Sequence, residues 1–123
     1  MTPDARQAIV QELAAAFGGA EDVSPDAQQP LHVRLTGLQF MAPWHPSPAE
    51  ALLRFGGWPD VRPDFWIDPA VVNASGQPPR NPTDEYILGR VWRRFSFGFP
   101  WPAEPRTATR AVQLWLTRFR EPT

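Results

Sequence analysis

Ser96 is the one conventional nucleophile in the most aromatic stretch of the chain, Gly89-Arg90-Val91-Trp92-Arg93-Arg94-Phe95-Ser96-Phe97-Gly98-Phe99-Pro100-Trp101. A serine hydroxyl attacks an acyl group only when a base takes its proton. The sequence offers His32, His45, Asp68, Asp84 and Glu85 for that role, and spacing does not choose among them. Asp84 and Glu85 precede the block directly. Acids placed there can orient and deprotonate an incoming amine, or can simply be solvated. Arg90, Arg93 and Arg94 suit acidic groups of a partner, because guanidinium favours such contacts. Equally, they solvate the open side of a strand. The competing account of Ser96 is a small residue on the polar face of an aromatic strand.

The elements that would position these groups fit within one domain of 123 residues. The hydrophobic fraction of 42% supports a packed core despite 16 prolines. So much proline favours fixed loops and edge strands over long uninterrupted elements. A net charge of -1 argues against nucleic acid as the main partner. No apolar run is long enough to span a bilayer, and the N-terminal residues lack a signal-peptide layout, so a cytoplasmic protein is expected. There is no cysteine, which removes disulfides, thiolate metal sites and thioesters. Two separated histidines give no metal-ligand spacing, so no metal and no cofactor is expected. All 12 basic residues are arginine. That is the signature of a GC-rich genome, or of a chain that avoids acting as a lysine acceptor.

In chain order, Thr2-Pro3-Asp4 opens a helix as cap, first-turn proline and acid. Ile9, Leu13 and Phe17 make its apolar stripe, and Gly18-Gly19 stops it. Glu21 to Pro30 reads as a loop with a short strand near Val23. Leu31 to Leu35 alternates as a half-buried strand, with His32 on the polar side and a bulge at Gly37. Met41 to Pro48 is a rigid connection. Ala49 to Phe55 is a second strand segment, though Ala49-Glu50-Ala51-Leu52-Leu53 would also suit a helix turn, and Asp64 to Asp68 is a third strand. Asn73 to Asp84 is a proline-rich surface flap. Tyr86-Ile87-Leu88 returns to the core. Pro105 opens a last helix to about Arg120, with Val112, Trp115 or Leu116, and Phe119 inside; Pro122 ends it. Trp44 and Trp58, in proline-rich loops, are the tryptophans expected to be exposed and to anchor a partner. The layout is α+β: an N-terminal helix, an antiparallel meander of three or four strands, an irregular aromatic segment and a C-terminal helix.

That order resembles the ubiquitin-conjugating (UBC) fold. Trp58-Pro59-Asp60-Val61-Arg62-Pro63-Asp64-Phe65 is similar to the family's proline-framed segment before the active-site strand. Gly89-Arg90-Val91-Trp92 and Trp101-Pro102-Ala103 are similar to the active-site segment and the turn after it, with Trp92 at the cysteine position. Pro63-Asp64-Phe65-Trp66 and Trp92-Arg93-Arg94-Phe95-Ser96 resemble a bacterial branch, prokaryotic UBC family E, across roughly Leu31 to Phe119. The resemblance implies a single UBC-like domain over residues 1–123, with a flap at 73–84. It implies a ubiquitin-like protein and a ThiF-type activating enzyme as partners. Asp68-Pro69-Ala70 stands where the family has His-Pro-Asn, so Asn73 becomes the nearby carboxamide for the oxyanion role.

Two functions follow from that resemblance. In the first, Ser96 accepts a ubiquitin-like C-terminus as an oxyester, with Asp84, Glu85 and Asn73 assisting and Trp92, Arg90, Arg93, Arg94, Trp58 and Trp44 contacting partners. In the second, the chain is a catalytically inactive UBC-like variant that binds the ubiquitin-like protein or scaffolds the activating enzyme. A third reading, independent of the resemblance, is an aromatic-rich module for a sugar or proline-rich peptide, which requires a row of exposed tryptophans.

Overall fold

A computed structural model describes residues 1–121. It is α+β, with two α-helices and a six-stranded antiparallel sheet. The first helix, α1 (Pro3–Phe17), starts where the sequence says it should. The Thr2 side chain accepts from the Ala5 N–H, and Pro3 occupies the first turn, where its missing N–H costs nothing. Gly18 ends the helix in the left-handed region at φ 86°, a conformation that penalises any Cβ.

The strands are β1 (Ala20–Asp22), β2 (His32–Leu38), β3 (Ala49–Arg54), β4 (Asp64–Ile67), β5 (Thr83–Ile87) and β6 (Arg90–Arg94). Their spatial order is β1-β2-β3-β4-β6-β5. The expected three- or four-stranded meander is therefore corrected. β1 to β4 do follow in sequence, but the chain then crosses to the outer edge as β5 and turns back, so β6 lies against β4. The register of β2 on β3 slips between Leu35 and Leu38, which is the irregularity expected at Gly37. The flap yields its last two residues, Thr83 and Asp84, to β5, and it is not wholly superficial, since Asn73 and Pro79 are buried.

The last helix, α2 (Ala108–Leu116), starts later than expected. Pro105 lies in the preceding turn, and Thr107 is the cap, accepting from the Arg110 N–H. Glu12 of α1 adds a second cap: its carboxylate accepts from both the backbone N–H and the hydroxyl of Thr109, each at 2.6 Å. One acid thus ties the two helices together at the positive end of α2. A 3₁₀ turn over Thr117–Arg120 completes the element. The expected stop at Pro122 lies outside the described residues.

Alternation along the strands sorts the residues into two faces. Val33, Leu35, Ala51, Leu53, Phe65, Ile67 and Phe95 meet Ile9, Leu13, Val112, Trp115 and Phe119 of the helices in one core. Among the described residues the opposite face carries no helix, yet Leu52, Trp66 and Trp92 form a second buried cluster there. No helix among the described residues is long and apolar enough to cross a membrane. Tyr86 and Leu88 are corrections to the expected return to the core. Tyr86 is 76% exposed beside Val91, because the β5–β6 hairpin extends past the helices.

Candidate functional site

Ser96 lies just past β6 and is exposed. Two clefts meet at it. One, of about 380 Å³, is lined by Arg62, Asn81, Thr83, Arg94, Phe95, Ser96, Phe97, Gly98 and Trp115. The other, of about 270 Å³, is lined by Arg80, Asn81, Ser96, Phe97, Gly98, Arg118 and Glu121. Neither lining contains a histidine. Glu121 is the single carboxylate among these lining residues, and it faces Arg118 at 3.7 Å. The site is therefore rich in cations and hydrogen-bond donors and poor in bases.

The bases proposed from the sequence sit elsewhere. Asp84 lies directly across the ladder from Arg93 and takes a two-pronged hydrogen bond from its guanidinium, at 2.7 and 3.0 Å. That contact holds the Asp84 carboxyl below its ordinary range and raises Arg93 in turn. Glu85 accepts from the Trp66 indole N–H at 3.2 Å on the open sheet face. Both acids are engaged, and neither lines a Ser96 cleft. Asn73 is 3% exposed, and its carboxamide oxygen accepts from the backbone N–H of Ser75 and of Gln77. Its observed contacts shape the flap. His32 is 8% exposed rather than solvated, because Ser24 and Pro30 fold over that end of β2. Its Nδ1 donates to the Pro30 carbonyl, as His45 Nδ1 does to the Pro43 carbonyl.

The proposed partner-binding residues also separate. Trp44 is 2% exposed, with its indole N–H on the Glu121 carbonyl and Phe119 against its ring, which corrects its expected exposure. The proline-rich loop folds inward here because Phe119, in the 3₁₀ turn after α2, supplies an apolar wall. Trp58 is half-buried between Phe55 and Trp101. Trp92, also 2% exposed, is covered by the Arg90 guanidinium 3.9 Å from its ring. Arg90 is held by Glu50 and Asp68, and Arg94 by Asp64. All three arginines are thus at least partly occupied within the molecule. The exposed tryptophan row that a sugar or proline-peptide module requires is missing: of the six tryptophans, Trp44, Trp66, Trp92 and Trp115 are buried and Trp58 and Trp101 half-buried.

Sequence reasoning missed Arg62, Asn81, Thr83, Arg80 and Arg118 as neighbours of Ser96. Arg62 is the one with a local signal. It sits between Trp58-Pro59 and Pro63, a stretch too constrained to be an idle surface loop. Its Nη2 donates to the Phe97 carbonyl at 2.9 Å, and its guanidinium lies 4.2 Å from the Phe99 ring and 4.5 Å from the Trp115 ring. Burial lowers its pKa, with the nearby Arg94 charge acting in the same direction and Asp64 opposing it.

A larger hollow of about 770 Å³ lies between α1 and the loop over residues 22–28. Arg6 in its wall is engaged by the carbonyls of Ala27 and Gln29, so it serves to fasten that loop.

No protein family, no curated protein and no solved structure matches this chain.

Proposed function

We propose that this chain is a cytoplasmic UBC-like protein of a bacterial ubiquitin-like modification system that binds the C-terminal tail of the ubiquitin-like protein at Ser96 without carrying it as an ester. The sequence resemblance over Leu31 to Phe119 supports the system. The observation that carries the choice between binding and transfer is the lining of the clefts. Ser96 is exposed among arginines, an asparagine and a threonine, with no histidine beside it. A hydroxyl without a base is a poor acyl acceptor, whereas cations and neutral donors suit an extended, carboxylate-ended tail.

The oxyester carrier is the second reading, and what favours it is the exposure of Ser96 at the meeting point of both clefts. Co-expression with a ubiquitin-like protein and its ThiF-type activating enzyme separates the two. Intact mass would be measured with and without mild hydroxylamine. Co-purification of the ubiquitin-like protein with no covalent adduct is the expected result. An adduct that survives thiol reductant, disappears with hydroxylamine and is absent from Ser96→Ala would make the chain a carrier. Neither adduct nor association would sink both readings.

A further inference from the structure

We infer that the cleft beside Ser96 is an oxyanion site, built on Arg62, for a carboxylate or phosphate group. Arg62 differs from the other arginines around it. Arg54, Arg90, Arg93 and Arg94 each rest on a carboxylate at 3.1 Å or less. Arg62 has no such ion pair among the described residues. Its Nη2 is taken by a neutral carbonyl, and its Nη1 is shielded from solvent with no acceptor among the described residues. A buried donor left unmade costs about 1–3 kcal/mol, so an acceptor that displaces the atoms shielding Nη1 would recover it. The two aromatic rings hold the guanidinium in place before any ligand arrives. Preorganisation of that kind removes part of the entropic cost of binding.

The rest of the lining fits the same ligand. Ser96, Asn81 and Thr83 supply neutral donors, and Arg94 a second cation. Asn81 adopts φ 54°, a left-handed turn that asparagine tolerates better than most residues. Asp64 and Arg94 act on the Arg62 cation in opposite senses, Asp64 the more strongly, so burial is what chiefly disfavours that cation and what an entering anion would relieve. The volume of about 380 Å³ admits a carboxylate or phosphate with its attached chain. Under the reading above, the group is the free α-carboxylate at the end of the ubiquitin-like tail. The oxyanion site itself does not depend on that reading.

The test is a titration followed by the backbone amide signals of Ser96, Phe97 and Gly98 in NMR. Sodium phosphate, sodium acetate, N-acetylglycylglycine and its C-terminal amide would be added at constant ionic strength, with chloride as the control. Saturable shifts confined to the cleft with an oxyanion and not with chloride are expected. Arg62→Gln should weaken that binding by about tenfold. Because Arg62 also packs between Phe99 and Trp115, a second variant guards against misfolding. Ser96→Glu tethers a carboxylate in the cleft and keeps Arg62, so it should abolish binding while leaving the remaining spectrum folded. Shifts spread over the surface, equal shifts with chloride, or undiminished binding in Ser96→Glu would overturn the site. Acid binding without amide binding assigns the carboxylate. Phosphate binding alone upholds the oxyanion site and removes its support for the ubiquitin-like tail.

Discussion

The open face of the sheet and the Ser96 cleft are both built from arginine and tryptophan, and they do opposite things with them. On the open face, Arg90 covers Trp92, while Arg54 and Arg94 lie 5.3 and 5.2 Å from the Trp66 ring. Each of those arginines is anchored by an acid on a neighbouring strand or at its end: Glu50, Asp64 or Asp68. Because β3, β4 and β6 alternate in step, acids, tryptophans and arginines meet on one side. Charge is cancelled there, and the guanidinium planes serve as lids for apolar surface. In the cleft, Arg62 is likewise sandwiched by rings, but among the described residues no carboxylate closes on it as an ion pair, and Asp64 acts on it only through its field. Composition is thus a poor guide to which arginines hold the protein together and which can hold something else. The placement of acids decides it.

The largest expected break in this comparison is Trp92→Ala. It removes the centre of the open-face cluster and strips Arg90 of its apolar support. A loss of about 3–5 kcal/mol is expected, read from the denaturant midpoint. A loss near zero would mean that the arginine lids cover nothing of consequence.

Asp64→Asn sharpens the comparison. Asp64 holds both Arg54 and Arg94, which are partly exposed, so solvent screening limits the cost to about 1 kcal/mol. It also releases Arg94 toward the cleft, so phosphate or acetate affinity at Ser96 should rise as stability falls. Unchanged affinity would show that the two regions are electrically independent.

The smallest effect is expected at Asp84. Its folded-state pKa is depressed by Arg93, so the pair contributes stability above the ordinary aspartate value of about 4. That contribution is lost as the pH falls through the depressed value. Asp84 is well exposed, so solvent screening limits the cost of Asp84→Asn to about 0.5 kcal/mol at neutral pH. The gap between wild type and variant should close in acid. A gap that persists at low pH would assign the effect to geometry instead of charge.

Local grammar made much of the fold readable. The cap, the first-turn proline and the stop of α1, the alternation at the start of β2, the acid-ended apolar run of β4 and the stripe of α2 are all set by neighbours within a few residues. What misled was everything that needed a distant partner. Trp44 reads as exposed because prolines surround it, yet the Glu121 carbonyl and Phe119 reach it from 75 or more positions away. Tyr86 reads as buried because it is apolar and strand-borne, but no helix extends over that end of the hairpin. At the site, Ser96 and its exposure are consistent with the sequence, whereas Arg62 joins it only through the Phe97 carbonyl, 35 positions along.

By itself, the sequence determined the α+β class, the position of the first helix, the approximate place of the last helix and of the central strands, the absence of cysteine chemistry and the aromatic block around Ser96. These follow from period, composition and short-range backbone preferences. Only the tertiary structure decided that β6 pairs with β4, that Asp84 and Glu85 are taken by Arg93 and Trp66, and that Arg62 stands at Ser96 with no ion pair among the described residues. The reason is physical. Strand order and ion pairing are settled by which distant surfaces bury each other, and a linear pattern carries no record of that choice.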